Sequence, residues 1–129
     1  MTALGEFLRN AALDRSPWNC STMPADWCMS LGFPDFAAQW RGIVDPAECE
    51  AAPAEAGGLA ILWARGIADG LDEATAPFMP GDIGVISLYG FEGGGIYTGD
   101  KWALRRPRGV VCSQIPDSAI IAAWRPWAR

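Results

Sequence analysis

The sequence predicts an α+β fold, with helices in the first part of the chain and an antiparallel sheet in the second. Three observations carry that reading. Apolar residues before position 72 recur at helical spacing. From Pro80 onward the chain breaks into short runs rich in Val, Ile, Tyr and Trp, bounded by Gly and Pro. Gly (15) and Pro (10) are both frequent and spread along the chain, which favours many short elements over a few long ones.

Leu4, Phe7, Leu8, Ala11 and Ala12 follow the i, i+3, i+4, i+7, i+8 pattern, and Thr2 is a capping residue, so residues 3–13 read as an amphipathic helix. Pro17 and Asn19 then break the chain. The second helix is expected to start at about Cys20 or Ser21, because Pro24 is tolerated only in a first turn, and to end at Gly32 before Pro34. Trp27, Cys28 and Leu31 form its apolar stripe. The segment "DPAE", 45–48, starts a third helix with a cap, a proline at its first position and an acid at its third. A fourth is expected to cover 57–71, turning Leu59, Leu62, Trp63 and Ile67 inward. Strands are expected at 82–89, 94–99, around 102–104, at 109–113 and at 119–126, in an antiparallel meander.

A chain of 129 residues, half of them apolar, suits a single domain over 1–129, with its helical part at about 1–78 and its strand part at about 80–127. Fifteen acidic against ten basic residues leave a net charge of −5. That argues against nucleic acid as a partner, since neutralising phosphates needs a basic face. The one basic cluster, "KWALRRPR" from Lys101 to Arg108, reads as a solvated strand and turn, with a contact patch for an acidic partner as the other reading. No secretory leader and no stretch of about 18 apolar residues is visible, which predicts a soluble protein without membrane insertion.

The chain has no histidine and four cysteines, at 20, 28, 49 and 112, without a C-x-x-C pair. A zinc site is therefore not expected, nor is any other metal or cofactor. The thiols are expected to be free, with Cys28, Cys49 and Cys112 serving as small buried apolar residues.

Cys20 reads differently. In "SPWNCSTMPADWC" it follows a loop and opens a helix, where backbone N–H groups and the helix dipole stabilise a thiolate and lower the pKa. Nucleophilic acyl transfer also needs a base beside the thiol and a proton donor for the leaving amine. The order of elements places that group on the strand following "PGDIGVISL".

Cysteine at a helix start, then Gly81-Asp82 opening a strand, then "GGGIYTGDKW" is similar to the NlpC-type papain-like cysteine peptidases. More closely, "WNCSTMPADWCMSLGFPDFAAQWRG" resembles a phage and prophage subgroup of tail-associated proteins, and the likeness spans nearly the whole chain. It implies a papain-like fold with the start of the second helix facing the sheet near Gly93. It further implies Cys20 at the nucleophile position, peptidoglycan as the ancestral substrate, other tail or baseplate proteins as partners, and a place in the virion tail after synthesis in the host cytoplasm. In the peptidase family the strand reads like His-Val-Gly-Ile-Tyr. Laid on Gly95, Ile96 and Tyr97, this puts the histidine position on Gly93, which has no side chain to move a proton.

Three readings follow. In the first, Cys20 is inherited by a protein that assembles without catalysing. In the second, peptidoglycan hydrolysis survives, with Asp26, Asp82 or Glu92 as an unorthodox base; Asp26 otherwise reads as a solvent-facing helix position and Asp82 as a turn cap. The third is a small-molecule or metal-binding module. The glycines at 93–95, with Gly90 before them, read as a hairpin turn and not as a phosphate loop. In "AAWRPWAR", Trp124 is assigned to the core and Trp127 to the surface.

Overall fold

The computed structural model describes residues 2–127. Helix α1 spans Ala3–Leu13 and is capped by Thr2, whose Oγ1 accepts from the Gly5 N–H over 2.9 Å. Leu4 is buried, and Phe7, Leu8 and Ala11 pack beside it against the core. Helix α2, Thr22–Ser30, starts just after the expected position and carries Pro24 in its first turn. Its end is closed by Gly32 at φ 96°, with the Gly32 and Phe33 N–H groups donating to the Met29 and Cys28 carbonyls. Helix α3, Pro46–Ala56, is capped by Asp45 and stopped by Gly57 at φ 97°. Helix α4, Leu59–Ile67, is shorter at both ends than the expected 57–71; it buries Leu59, Trp63 and Ile67 as the spacing predicts, with Leu62 part buried beside them.

Six strands form one antiparallel sheet in the order β1-β6-β2-β3-β4-β5. They are β1 Asp72–Glu73, β2 Ile83–Leu88, β3 Phe91–Tyr97, β4 Trp102–Arg106, β5 Gly109–Ser113 and β6 Ile120–Arg125. The expected meander holds from β2 to β5 and fails for β6, which returns to pair with β2 on one side and the short β1 on the other. The reason is burial: β6 places Trp124 and Ala122 against the helical core and packs Ile120 on the opposite face. A strand apolar on both sides is stable only inside a sheet. Strand β1 escapes the sequence reading because its two residues are polar and exposed.

The glycines at 93–95 lie within β3 and do not make the turn. The turn is Tyr89–Gly90, between Leu88 and Phe91, which pair across the hairpin. Both turn residues have positive φ, 50° and 78°, as a type I′ connection requires.

The helices cover one face of the sheet, and Trp27, Trp63, Ile83, Val85, Ile96 and Trp124 form the centre of the core between them. Each buried large side chain there contributes roughly 1.5–3 kcal/mol of transfer free energy. The other face carries a smaller cluster of Ile86, Trp102 and Leu104, covered by Phe78 from the loop before β2 and by Ile115. Strand β2 is thus buried on both sides. Gly84 is needed in it because the Trp102 ring lies over its α-carbon, where a Cβ would come within 2.9 Å of the indole. Trp124 is buried and Trp127 is 56% exposed, as assigned from the sequence.

Candidate functional site: the Cys20 turn and its groove

Cys20 lies in the turn before Ser21, the N-cap of α2. The turn is held by its neighbour Asn19. The buried Asn19 side chain donates to the Trp40 carbonyl at 2.9 Å and the Ile43 carbonyl at 3.0 Å, while its Oδ1 accepts from the Ser21 N–H at 2.9 Å. One amide therefore caps the start of α2 and ties it to the 40–43 segment. The Ser21 hydroxyl is free of capping duty and accepts from Trp63 Nε1 over 2.8 Å.

The cysteine turn faces β3, as the sequence predicts, but at Gly94. A Cβ on Gly94 would stand 2.5 Å from the Cys20 carbonyl oxygen and 2.5 Å from Cζ2 of Trp63. Side chains alternate along a strand. Glu92, Gly94 and Ile96 accordingly share the helix-facing side, with Glu92 reaching α4 and Ile96 in the helical core. Gly95 turns toward Ile86 and Leu104 on the opposite face, and Gly93 shares its side. Gly93 therefore points away from Cys20. The position that faces the thiol's turn is filled by the Trp63 ring, itself fully buried and packed 4.9 Å from Phe36 and 6.0 Å from Trp124.

The Cys20 thiol corrects the expectation of a lowered pKa. Burial pushes it up, the Ser21 hydroxyl pulls it down, and Cys49 and Glu92 push it up further. Cys20 precedes the helix, so desolvation outweighs the dipole. Two other thiols also depart from expectation: Cys112 is exposed and Cys49 is only part buried, whereas Cys28 is buried as expected. All four are free. Among the described residues, no cluster of three or more His, Cys, Asp or Glu is placed to hold a metal ion.

Of the three carboxylates considered as replacement bases, the structure brings one to the thiol. Glu92 is near enough for its charge to act on Cys20, but its Oε1 accepts from the Leu59 N–H at 2.6 Å and so caps α4, whose own cap residue, Gly58, has no side chain. Asp26 is half-buried on α2 and paired with Arg41 at 2.8 Å; burial raises its pKa in spite of that pairing. Asp82 is buried in the bend before β2, where it accepts from the Met79 N–H and binds Arg125 through both oxygens, at 2.8 and 2.9 Å. It lies three positions before Val85, the partner of Gly94, which is roughly 10 Å along the strand.

One side of Cys20 borders a small hollow of about 10 Å³, at the lower limit of what one water molecule needs. The other side opens onto a broad groove of about 1070 Å³ between the 15–20 loop, α3 and the β4–β5 turn, with Glu92 and Gly94 also on its wall.

Residues 2–126 match the model of a domain of unknown function, DUF6950. The chain belongs to the DUF6950 family. No curated protein and no solved structure matches it.

In this DUF6950 domain the thiol has a carboxylate within electrostatic reach and no imidazole. In water a carboxylate titrates near 4.3 and a thiol near 8.5, so proton transfer between them yields thiolate in only about one instance in 10⁴. Burial of Cys20 lowers that fraction again. Sequence reasoning named Cys20, Glu92, Asp26 and Asp82 but missed Asn19, Ser21, Trp63 and Gly94, which decide the geometry. The one available signal was "NCS": an Asn side chain readily accepts from the backbone N–H two residues on, here that of the N-cap Ser21.

Proposed function

We propose that this domain is a papain-like, NlpC-type relative without hydrolytic activity, acting as a structural or assembly component of a phage tail tip or baseplate. It docks there on other tail subunits, in the virion tail, after synthesis in the host cytoplasm. The resemblance of "WNCSTMPADWCMSLGFPDFAAQWRG" to phage tail-associated proteins points to the setting. The observation that carries the loss of catalysis is the Gly94–Trp63 contact: the strand position facing the Cys20 turn has neither a base nor room for one. General acid–base assistance is worth about 10²–10⁴ in rate, and peptide-amine expulsion depends on it.

The test has two arms. Wild type and Cys20→Ala are incubated with purified cell-wall sacculi, and new stem-peptide ends are sought by mass spectrometry; neither protein is expected to release any. Phage carrying Cys20→Ala are expected to form complete, infectious particles, and phage lacking the chain to form defective tails. Fragments released by wild type alone would establish the active peptidoglycan-cleaving enzyme instead, with Glu92 as the carboxylate to test first. Normal tails without the chain would remove it from the tail.

A further inference from the structure

The groove beside Cys20 has a character that the loss of catalysis leaves unused. Its charged lining is three arginines, Arg15, Arg105 and Arg106, against the single carboxylate of Glu92, in a chain whose net charge is −5. Glu92 already holds the Leu59 N–H. Arg105 is fixed in place: it donates to the carbonyls of Arg106, Gly109 and Asp14 at 2.7, 3.0 and 2.7 Å, and its guanidinium centre lies 5.1 Å from the centroid of the Trp18 ring. These partners are backbone dipoles and an aromatic face, which orient the charge without cancelling it. Asp14, whose carboxyl feels both Arg105 and Arg15, lines the neighbouring hollow between α1 and α2 and not this groove. Between the charges the surface is apolar, with Pro17, Trp18 and Pro53 on the walls and Val44 42% exposed.

The hairpin tip at the groove's edge adds a second, independent observation. Gly90 lines the groove, and Tyr89 beside it is 99% exposed with φ 50°. A bulky residue at positive φ is unfavourable, and Asn, Asp or Gly is the usual occupant of that place in a type I′ turn. Tyr89 therefore costs the fold stability while giving it no burial. A strained position held by an exposed aromatic residue points to a contact outside the chain, and Tyr is among the residue types that most often anchor protein interfaces.

We propose that this groove docks an extended acidic segment of a partner protein, with Tyr89 as an anchor at its mouth. The inference rests on the reading that the domain works by docking to other subunits. A short acidic segment gains from the local arginines, whereas a long polyanion must also approach the negative remainder of the surface, so a protein segment is favoured over nucleic acid.

Binding is read by fluorescence anisotropy at low ionic strength with three labelled probes: a short peptide of Asp, Glu and Leu, the same peptide with Lys in place of the acids, and an oligothymidylate long enough to extend beyond the groove onto the surrounding surface. The acidic peptide is expected to bind about tenfold more tightly than either of the others, and to weaken as salt is added. Arg15→Glu is expected to weaken it about two- to fivefold. Tyr89→Asn is expected to weaken it about fivefold or more while leaving the melting temperature unchanged or higher, because Asn-Gly suits the turn better. A purely structural Tyr89 would show the reverse pattern. Equal binding of the three probes, tighter binding of the oligothymidylate, or full binding by Tyr89→Asn would overturn the proposal. If the acidic peptide binds but tails assemble normally without the chain, the tail assignment fails and the groove stands. Defective tails with no peptide binding would overturn the groove and leave the tail assignment standing.

Discussion

The indole of Trp63 rests on the α-carbon of Gly94, so that a Cβ added there would lie 2.5 Å from one ring carbon and 2.8 Å from the next. Trp63 holds this place through its N–H, which donates to Ser21 beside Cys20. One side chain from α4 thus both supports the cysteine turn and occupies the space a catalytic base would need.

Introducing a histidine at that position is therefore expected to damage the fold without restoring chemistry. Gly94→His must displace both the Trp63 ring and the Cys20 carbonyl, at a cost on the order of 3 kcal/mol, the upper part of the usual range for overpacking. Adding Gly94→His to Trp63→Ala should cost less, since only the Cys20 carbonyl then has to shift. Urea unfolding of the two single variants and the double variant measures that coupling, and additive losses would show that the two sites do not share the space.

Cys112, and not the helix-start Cys20, is expected to label first. Cys112 is exposed, Cys20 is part buried with its thiol pushed up, and Cys28 is buried. Iodoacetamide should modify Cys112 first, Cys20 more slowly and Cys28 only on unfolding. Peptide mapping across a time course gives the order, and rapid labelling of Cys20 would show an activated thiol after all.

Stability is expected to fall at alkaline pH. Burial raises the Cys28 thiol from 9.0 to about 12 in the folded protein. Between those values the unfolded chain has lost a proton that the folded chain keeps. The contribution of this group is thus fully present below about pH 9 and is lost as pH rises toward 12. Three units correspond to roughly 4 kcal/mol over the whole span. Cys20 shifts in the same direction. Urea midpoints at pH 7.5 and about 10.5 should differ clearly in wild type and less in Cys28→Ala; equal slopes in both would remove Cys28 as the cause.

Asn19→Ala is expected to destabilise by roughly 2–4 kcal/mol. It leaves the Ser21 N–H and the Trp40 and Ile43 carbonyls without the amide they now share, in a buried turn. Proteolysis should then begin in the 15–22 loop or the 40–45 segment. A loss below about 1 kcal/mol would mean that water replaces the amide.

Local chemistry by itself determined much of this protein. Thr2 and Asp45 set helix starts because their capping hydrogen bonds involve only near neighbours. The stripes of α1 and α4 and most of the strands from β2 to β5 were legible for the same reason, since apolar periodicity records which side of an element is buried; the glycine-rich first half of β3 carries no such record and reads as a turn. The absence of histidine from the chain set the limit on Cys20 chemistry before any fold was known. Tertiary structure alone decided the rest. The return of β6 to the sheet centre, the capping of α4 by Glu92 across 33 positions, and the seating of Trp63 on Gly94 all join residues distant in sequence. The choice between Gly93 and Gly94 depended on strand phase, where a shift of one residue exchanges the two faces of a sheet. The Cys20 pKa was decided by burial, a property of the packed chain that the helix-start pattern does not contain.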